Sequence, residues 1–318
     1  MTGAGDRTRV GLSVDVDSVA SHLEGYGHRR GEDDGSAYRE AVPRALEMFG
    51  RSGVRATFFL IAGEARRHPE TVARIVAEGH EVGSHSMTHR LPFRELDDET
   101  LQVEVAGSRA ALEALAGEEV RGFRAPSWDV DPALLARVAA AGYRYDASTY
   151  PSILLPLLRA SIARRGSREA APSRRSTWGA LRGSPRIHLR RAEAQRITEV
   201  PMCTTPVLRL PYYHTLRFVA PDPVFRLVRL LAHARRGPVW YQFHAVDFQA
   251  LRADRLDPRI ACHPGMGLGL ERKLELAAEA VVTLARRGRV APLRELVDPA
   301  PGQGGQSLAP AWEGALHG

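Results

Sequence analysis

Short apolar runs that alternate with helical patterns predict an α/β fold of parallel strands closed into a barrel. Three observations carry this expectation. The runs are rich in β-branched residues and are separated by helical stretches of about ten to twenty residues, the spacing that right-handed crossovers between parallel strands require. About seven or eight such units follow one another, which suggests a barrel rather than a small open sheet. Ionisable residues also fall at the C-terminal ends of the runs, where the chemistry of such barrels sits.

The elements can be justified in order. Residues 9–16, RVGLSVDV, read as the first strand. The stretch AYREAVPRALEMFGRSG is a helix that stops at Gly53, and VRATFFLI (54–61) is a buried strand. HPETVARIVAEGH carries Pro69 near its start and Gly79 at its end, the punctuation of a helix, and HEVGSH follows as a third strand. LDDETLQVEVAGSRAALEALAG is a long amphipathic helix capped by Asp97 or Asp98. VRGFRAP, the helix DPALLARVAAAG and the strand YRYDAST come next. Residues 150–196, rich in Pro, Arg, Ser and Gly, interrupt the rhythm as an insertion or long loop. The pattern resumes with RITEVPM, DPVFRLVRLLAHARRG, PVWYQFH, GLERKLELAAEAVVTLARRG and RVAPL. The expected organisation is a flexible N-terminus (1–8), one catalytic barrel (9–296) and a flexible tail (297–318).

Composition narrows the class. The chain has 318 residues, 44% hydrophobic and 25% charged, enough for a large core without staples. Cys203 and Cys262 lie too far apart for metal-type spacing or a disulfide framework, so a reducing, cytoplasmic setting is expected. No secretory h-region and no membrane-spanning stretch is read in it. The net charge of +7 gathers in residues 159–191, where ten arginines face one glutamate. Such a stretch reads as a solvated loop or as a patch for phosphate at a membrane face. Nucleic acid is not expected as a partner, because no nucleic-acid module surrounds it.

The strand ends supply the chemistry. Asp15 and Asp17 close the first strand, His85 the third, Arg124 and Trp128 follow the fourth, Asp146 the fifth, and His244 ends PVWYQFH. His85 and His89, four apart, can face one cation from a single helical turn, and a carboxylate completes a facial set with open positions. Asp15 and Asp17 are two apart on a strand and point the same way, so one can ligate while the other stays free as a base. His244, from across the barrel, is expected to protonate a leaving amine.

The order Asp-x-Asp, His-x-x-x-His, Arg-x-Pro, Asp-x-Ser and a late strand ending in His resembles the polysaccharide deacetylases, the NodB-homology or carbohydrate esterase family 4. The supporting strings are VRATFFLIAG, HPETVARIVAEGHEVGSHSMTH, FRAPSW and YRYDAS, within a resemblance spanning about residues 9–296. The resemblance implies a deformed (β/α)7 barrel, a divalent metal (Zn²⁺ first, Co²⁺ or Ni²⁺ as others), and hydrolysis of an N-acetyl or similar N-acyl group from an amino sugar. Carried over, it implies Asp15 as base, Asp17, His85 and His89 as metal ligands, and Arg124 as the residue holding the base. It also implies Asp146 as the partner that orients the acid His244, and a backbone N–H near Ser127 or Trp128 as oxyanion donor. Tyr26, Ser127 and Trp128 are expected to line the substrate site.

The first strand departs from the common form, which has two adjacent aspartates followed by glycine; here Val16 separates Asp15 from Asp17. That spacing resembles the Asp-x-Asp, peptidoglycan-deacetylase-like branch. Some relatives there act on cyclic amides, imides or ureides, in part without metal, and such a substrate is the alternative reading. The late string FHAVDF also lacks the proline that many relatives carry after the histidine. The segment EVPMCTTPVLRLPYYHTLRFV resembles relatives of surface-glycan assembly, which implies a carbohydrate on a polyprenyl-phosphate carrier and peripheral contact with anionic membrane.

Overall fold

The computed structural model describes residues 8–165, 183–235 and 237–298. Among the described residues nine strands form one sheet: β1 (Arg9–Val16), β2 (Thr57–Leu60), β3 (Glu81–Ser84), β4 (Gly122–Phe123), β5 (Tyr145–Asp146), β6 (His188–Ala192), β7 (Gln195–Glu199), β8 (Val239–His244) and β9 (Arg289–Ala291). Seven of them run parallel in the order β7-β5-β4-β3-β2-β1-β8. β6 turns back antiparallel on β7, and β9 adds a parallel partner to β1. Among the described residues no ladder joins β7 to β8. The Trp240 indole on β8 instead donates to the Pro201 carbonyl just beyond β7, at 2.6 Å. The result is the expected mostly parallel α/β sheet with an open seam.

The first strand lies between β2 and β8 in this sheet, with β9 also paired to it, and is buried on both faces, which is why it reads as a near-continuous apolar run. Val10, Leu12, Val14 and Val16 share one face; Gly11, Ser13 and Asp15 share the other. Gly83 on β3 is required by close packing, since a Cβ there would stand 2.7 Å from the Phe59 ring. Within the stretch expected as insertion or loop, the described residues include the helix Leu155–Arg165 and β6. Residues 1–7, 166–182 and 299–318, with most of both expected tails, lie outside the described residues.

Two departures from regular structure position the third strand's exit. The long helix begins as expected, with the Asp97 carboxylate accepting from Thr100 N at 2.8 Å, and ends at Gly117 in the left-handed region. Between Val103 and Gly107 it widens into a π turn, a local bulge common at functional sites. That turn carries the buried Glu104, whose carboxylate accepts from Met87 N (3.0 Å), Thr88 N (2.9 Å) and the Thr88 hydroxyl. Residues 85–89 are therefore a pinned loop, not the helical turn expected from the histidine spacing. Ser86 (φ 71°) and His89 (φ 59°) both take left-handed backbone, and the Ser86 hydroxyl accepts from His89 N.

The same loop is clamped from the other side. Arg30 donates to the carbonyls of Thr88 and His89 (3.3 Å for His89) and to Glu64 Oε1 at 3.3 Å. Ser18, which caps the first helix Val19–Gly25, donates to the same Glu64 oxygen at 2.8 Å. Burial, reinforced by Asp33, raises the Glu64 pKa to about 8. The native state thus holds a proton that the unfolded chain releases near the ordinary glutamate value, so this group lowers stability as pH rises toward 8. Thermal unfolding of Glu64→Gln should lose less stability than wild type between pH 5 and pH 8; an unchanged difference between the two pH values would contradict the assignment.

Candidate active site

The strand register sets the centre of the site. Asp15 on β1 lies in register with His244 on β8, its direct neighbour in the sheet. His244 therefore does not reach in from across the barrel, as the sequence suggested. Sequence order cannot show that β8 returns to lie beside β1. Asp15 and His244 line one cavity of about 210 Å³ with Asp17, His85, His89 and Trp128. Tyr26 and Ser127 line it as well, whereas Arg124 and Asp146 lie behind its surface.

Three ligand-type groups converge at its floor. Asp17, His85 and His89 are all buried, and one ligand atom from each falls within 4.8 Å of the others. Asp17 Oδ1 stands 3.0 Å from His85 Nε2 and 3.5 Å from His89 Nε2, yet it makes no aligned hydrogen bond. His85 Nδ1 pairs with the Arg124 carbonyl at 2.6 Å. A carbonyl only accepts, so Nδ1 carries its proton toward Arg124, and in the neutral ring that a metal ligand must be, the Nε2 lone pair faces the carboxylate. Acceptors aimed at one another in a buried site call for a cation between them, and a carbonyl-oriented imidazole is the usual support of a metal ligand. Burial alone would raise the Asp17 pKa, but the facing imidazoles hold it well below the usual carboxylate value. Burial works against charge on His85, where Asp17 prevails and raises its pKa; on His89 burial prevails and lowers it to about 3. The donor set fits a divalent cation.

The second aspartate is held apart from this cluster. Arg124 Nη1 donates to Asp15 Oδ1, and also to Ser13 Oγ at 3.2 Å, while its Nε donates to the Ala147 carbonyl at 3.1 Å. The guanidinium lies over the Phe59 ring, 4.1 Å from its centroid. Gln242 donates to Asp15 Oδ2 at 2.7 Å, and His244 Nε2 stands 3.8 Å from the same oxygen. Gln242 was missed in the sequence, although it sits two residues before His244 on the same strand face.

Asp146 does not orient His244. Its carboxylate is turned to Ser148, accepting from the hydroxyl at 2.6 Å and from the backbone N–H at 2.9 Å, and burial raises its pKa to about 7. Among the described residues, the carboxylates within 4.0 Å of the His244 ring are Asp15 and Asp247. Asp247 also accepts from His244 N at 2.8 Å, which fixes it beneath the ring, and Thr215 Oγ1 is 3.5 Å from His244 Nδ1. The signal was present in FHAVDF, where an aspartate three residues on can cap the turn that follows the strand.

The cavity walls differ in character. On one side Trp128 meets His244 edge to face at 5.9 Å, beside Tyr213 and Leu155. Ser127 and Trp128 both adopt left-handed backbone (φ 54° and 52°), a strained pair at the site's edge. Trp128 N is spent on the Ala125 carbonyl at 3.1 Å, so of the two expected oxyanion amides only that of Ser127 is kept as a candidate. On the other side stand His22, His263 and Tyr26, of which only Tyr26 was singled out in the sequence. Burial lowers the His22 pKa to about 4 and holds His263 well below the ordinary histidine value.

Comparison with known proteins agrees with this geometry. Residues 33–145 match the polysaccharide deacetylase family model, a span that includes His85, His89 and Arg124. The chain is 30% identical over 143 residues to a peptidoglycan deacetylase of Helicobacter pylori, covering 44% of this chain and 48% of that protein. It is 40% identical over 107 residues to a chitooligosaccharide deacetylase of Bradyrhizobium, covering 32% and 46%. The chain thus spans about half the length of the curated relatives it matches. A crystal structure of a Mycobacterium smegmatis protein described as a polysaccharide deacetylase superposes with a TM-score of 0.57 at 19% identity, covering 93% of this chain and 91% of that one. An allantoinase shares the fold at a TM-score of 0.52 and 16% identity, covering 90% and 91%. The match of residues 33–145 and the relatives thus make this part of the chain similar to the polysaccharide deacetylases, and the solved structures show a shared fold.

Proposed function

We propose that the protein is a metal-dependent hydrolase that removes an N-acetyl or similar N-acyl group from an amino sugar. The observation that carries this reading is the buried, unpaired Asp17 oxygen between two imidazoles, beside a second aspartate held by arginine. The relatives named as deacetylases of peptidoglycan and chitooligosaccharide support an amide on a sugar. A cyclic amide, imide or ureide substrate is not favoured, because the allantoinase likeness concerns the fold alone.

Asp17, His85 and His89 would hold the ion, with Zn²⁺ the proposed metal and Co²⁺ or Ni²⁺ fitting the same donors. When bound, such a cation supplies Lewis acidity to the amide carbonyl and to water. Asp15 accepts the proton of the attacking water as general base. Arg124 and Gln242 fix its carboxylate so that it cannot turn to join the ligands. His244 donates a proton to the departing amine, and Asp247, not Asp146, holds that ring in place. The Ser127 amide is the proposed donor to the developing oxyanion. Trp128 and Tyr26 flank the sugar.

The wider setting is proposed from the surface. Val219 and Leu155 line the cavity; Val219 is half exposed, and Leu157 stands exposed two residues from Leu155. Val224, Leu227 and Leu230 add an exposed aliphatic stripe on the helix Asp222–His233, among Arg217, Arg226 and Arg229. Aliphatic and arginine side chains together suit an anionic bilayer, and the proposed substrate is a sugar on a polyprenyl-phosphate carrier at the inner, cytoplasmic face. Of the arginine-rich segment, Arg168, Arg174, Arg175 and Arg182 lie outside the described residues, as does Trp178. Among the described residues no helix is long and apolar enough to cross a membrane.

Three outcomes test this reading. Mass spectrometry should find about one metal per chain in wild type and none in His85→Ala, and Glu104→Gln should bind it about 10–100-fold more weakly because the histidine loop loses its anchor. Metal binding unaffected by both changes would sink the site. In acetate-release assays, Asp15→Asn should lower kcat about 10²–10⁴-fold at unchanged metal content, and Asp247→Asn should cost kcat more than Asp146→Asn; the reverse order would restore Asp146 as the orienting partner. In cosedimentation at low salt, wild type should bind vesicles containing phosphatidylglycerol but not pure phosphatidylcholine, and the double variant Leu227→Glu, Leu230→Glu should bind less. Equal binding by wild type and variant would remove the proposed membrane face.

A further inference from the structure

The imidazoles of His22 and His263 are not explained by the chemistry above. Each presents a buried Nε2 with no hydrogen-bond partner, that of His22 standing 3.9 Å from Asp17 Oδ2. Both rings line the cavity, 4.8 Å apart between centroids, and the His22 ring lies 6.0 Å from that of His244. A histidine kept only for packing would ordinarily have its polar atoms satisfied, because a buried unpaired nitrogen costs stability.

Their placement is enforced from behind. Val19 and Leu23, on the same short helix as His22, pack with Val246, Leu256, Ile260 and Met266 in a hydrophobic cluster separate from the main core. His263 lies between Ile260 and Met266 in sequence; its N–H donates to the Ile260 carbonyl at 2.8 Å and its own carbonyl accepts from Met266 N at 3.2 Å. The Tyr26 hydroxyl pairs with His263 Nδ1 at 3.2 Å. Two segments about 240 residues apart in sequence are thus fastened together, with their imidazoles turned toward the site.

We propose that His22 and His263, backed by Tyr26, form a subsite that recognises ring hydroxyls of the sugar next to the acylamino group. The proposal rests on the amino-sugar reading given above. The Tyr26 hydroxyl can either donate to His263 Nδ1 or accept from it, which leaves Nε2 a donor in the first case and an acceptor in the second. A sugar hydroxyl satisfies both cases, since it donates and accepts. A carboxylate satisfies only the first and an ammonium only the second. The distance from the acid also suits a neighbouring substituent: the His22 ring lies 6.0 Å from that of His244, whose proton goes to the amine, and 4.8 Å from that of His263. The two histidines therefore act on substrate choice and binding rather than on the bond that breaks.

The test is calorimetric binding of tri-N-acetylchitotriose to the metal-loaded protein. His263→Phe fills the ring's volume without its nitrogens; His263→Gln returns a donor and an acceptor. The phenylalanine variant should bind the trisaccharide about tenfold more weakly, the loss of about one hydrogen bond, and the glutamine variant should recover most of that loss. Both should keep wild-type metal content and thermal unfolding. Unchanged binding by His263→Phe, or equal losses in both variants, would overturn the subsite and leave the deacetylase reading standing. Failure of wild type to bind the trisaccharide would also overturn it, while metal content and acetate release report on that reading separately.

Discussion

One buried oxygen organises this molecule. Asp17 Oδ1 is shut away from water between two imidazole nitrogens, without an aligned hydrogen bond of its own. Leaving a carboxylate in that state is costly unless a cation neutralises it. Much of the surrounding structure serves to hold that arrangement. β1 delivers the aspartate, the Arg124 carbonyl turns His85, and Glu104 with Arg30 grips the loop that carries His89. The strained backbone at Ser86 and His89 is affordable because both sides of the loop are bonded.

The neighbouring carboxylate shows the complementary design. Asp15 is two residues from Asp17, which follows directly after β1, and both line the cavity, so their spacing alone does not separate their roles. The separation comes from partners: Asp15 is engaged by Arg124 on one oxygen and Gln242 on the other. The same chain therefore presents one carboxylate to a cation and keeps another for proton transfer. On the far side of Asp15, in register on the adjacent strand, His244 has Asp247 fastened beneath it. The order from ligand to base to acid follows the sheet from β3 through β1 to β8.

Much of this was legible in the sequence, and the illegible parts share a cause. Strand ends and the Asp-x-Asp and His-x-x-x-His spacings are local, so the ligand and base candidates could be read from periodicity and residue type. The site of Arg124 followed from the end of β4. What depends on strand order could not be read. His244 was assigned to the wrong side because β8 joins β1 only through the completed sheet, and Asp146 was given a partner that the fold turns away from it. Gln242 and Asp247 lay within reach of local reasoning, at two and three residues from His244. His22 and His263 did not, since only a hydrophobic cluster formed in the folded chain brings them together. The histidine spacing also misled in one respect: four residues suggested a helical turn, whereas a π turn elsewhere in the chain supplies the carboxylate that shapes a loop.

The most direct measurement is an anomalous difference map from crystals of the protein grown with Zn²⁺ and collected above the zinc edge. The account predicts one strong peak bounded by Asp17 Oδ1, His85 Nε2 and His89 Nε2, with Asp15 remaining on Arg124 and outside the ligand set. A peak that recruits Asp15 in place of Asp17, or zinc-loaded crystals with no peak between these three residues, would contradict it.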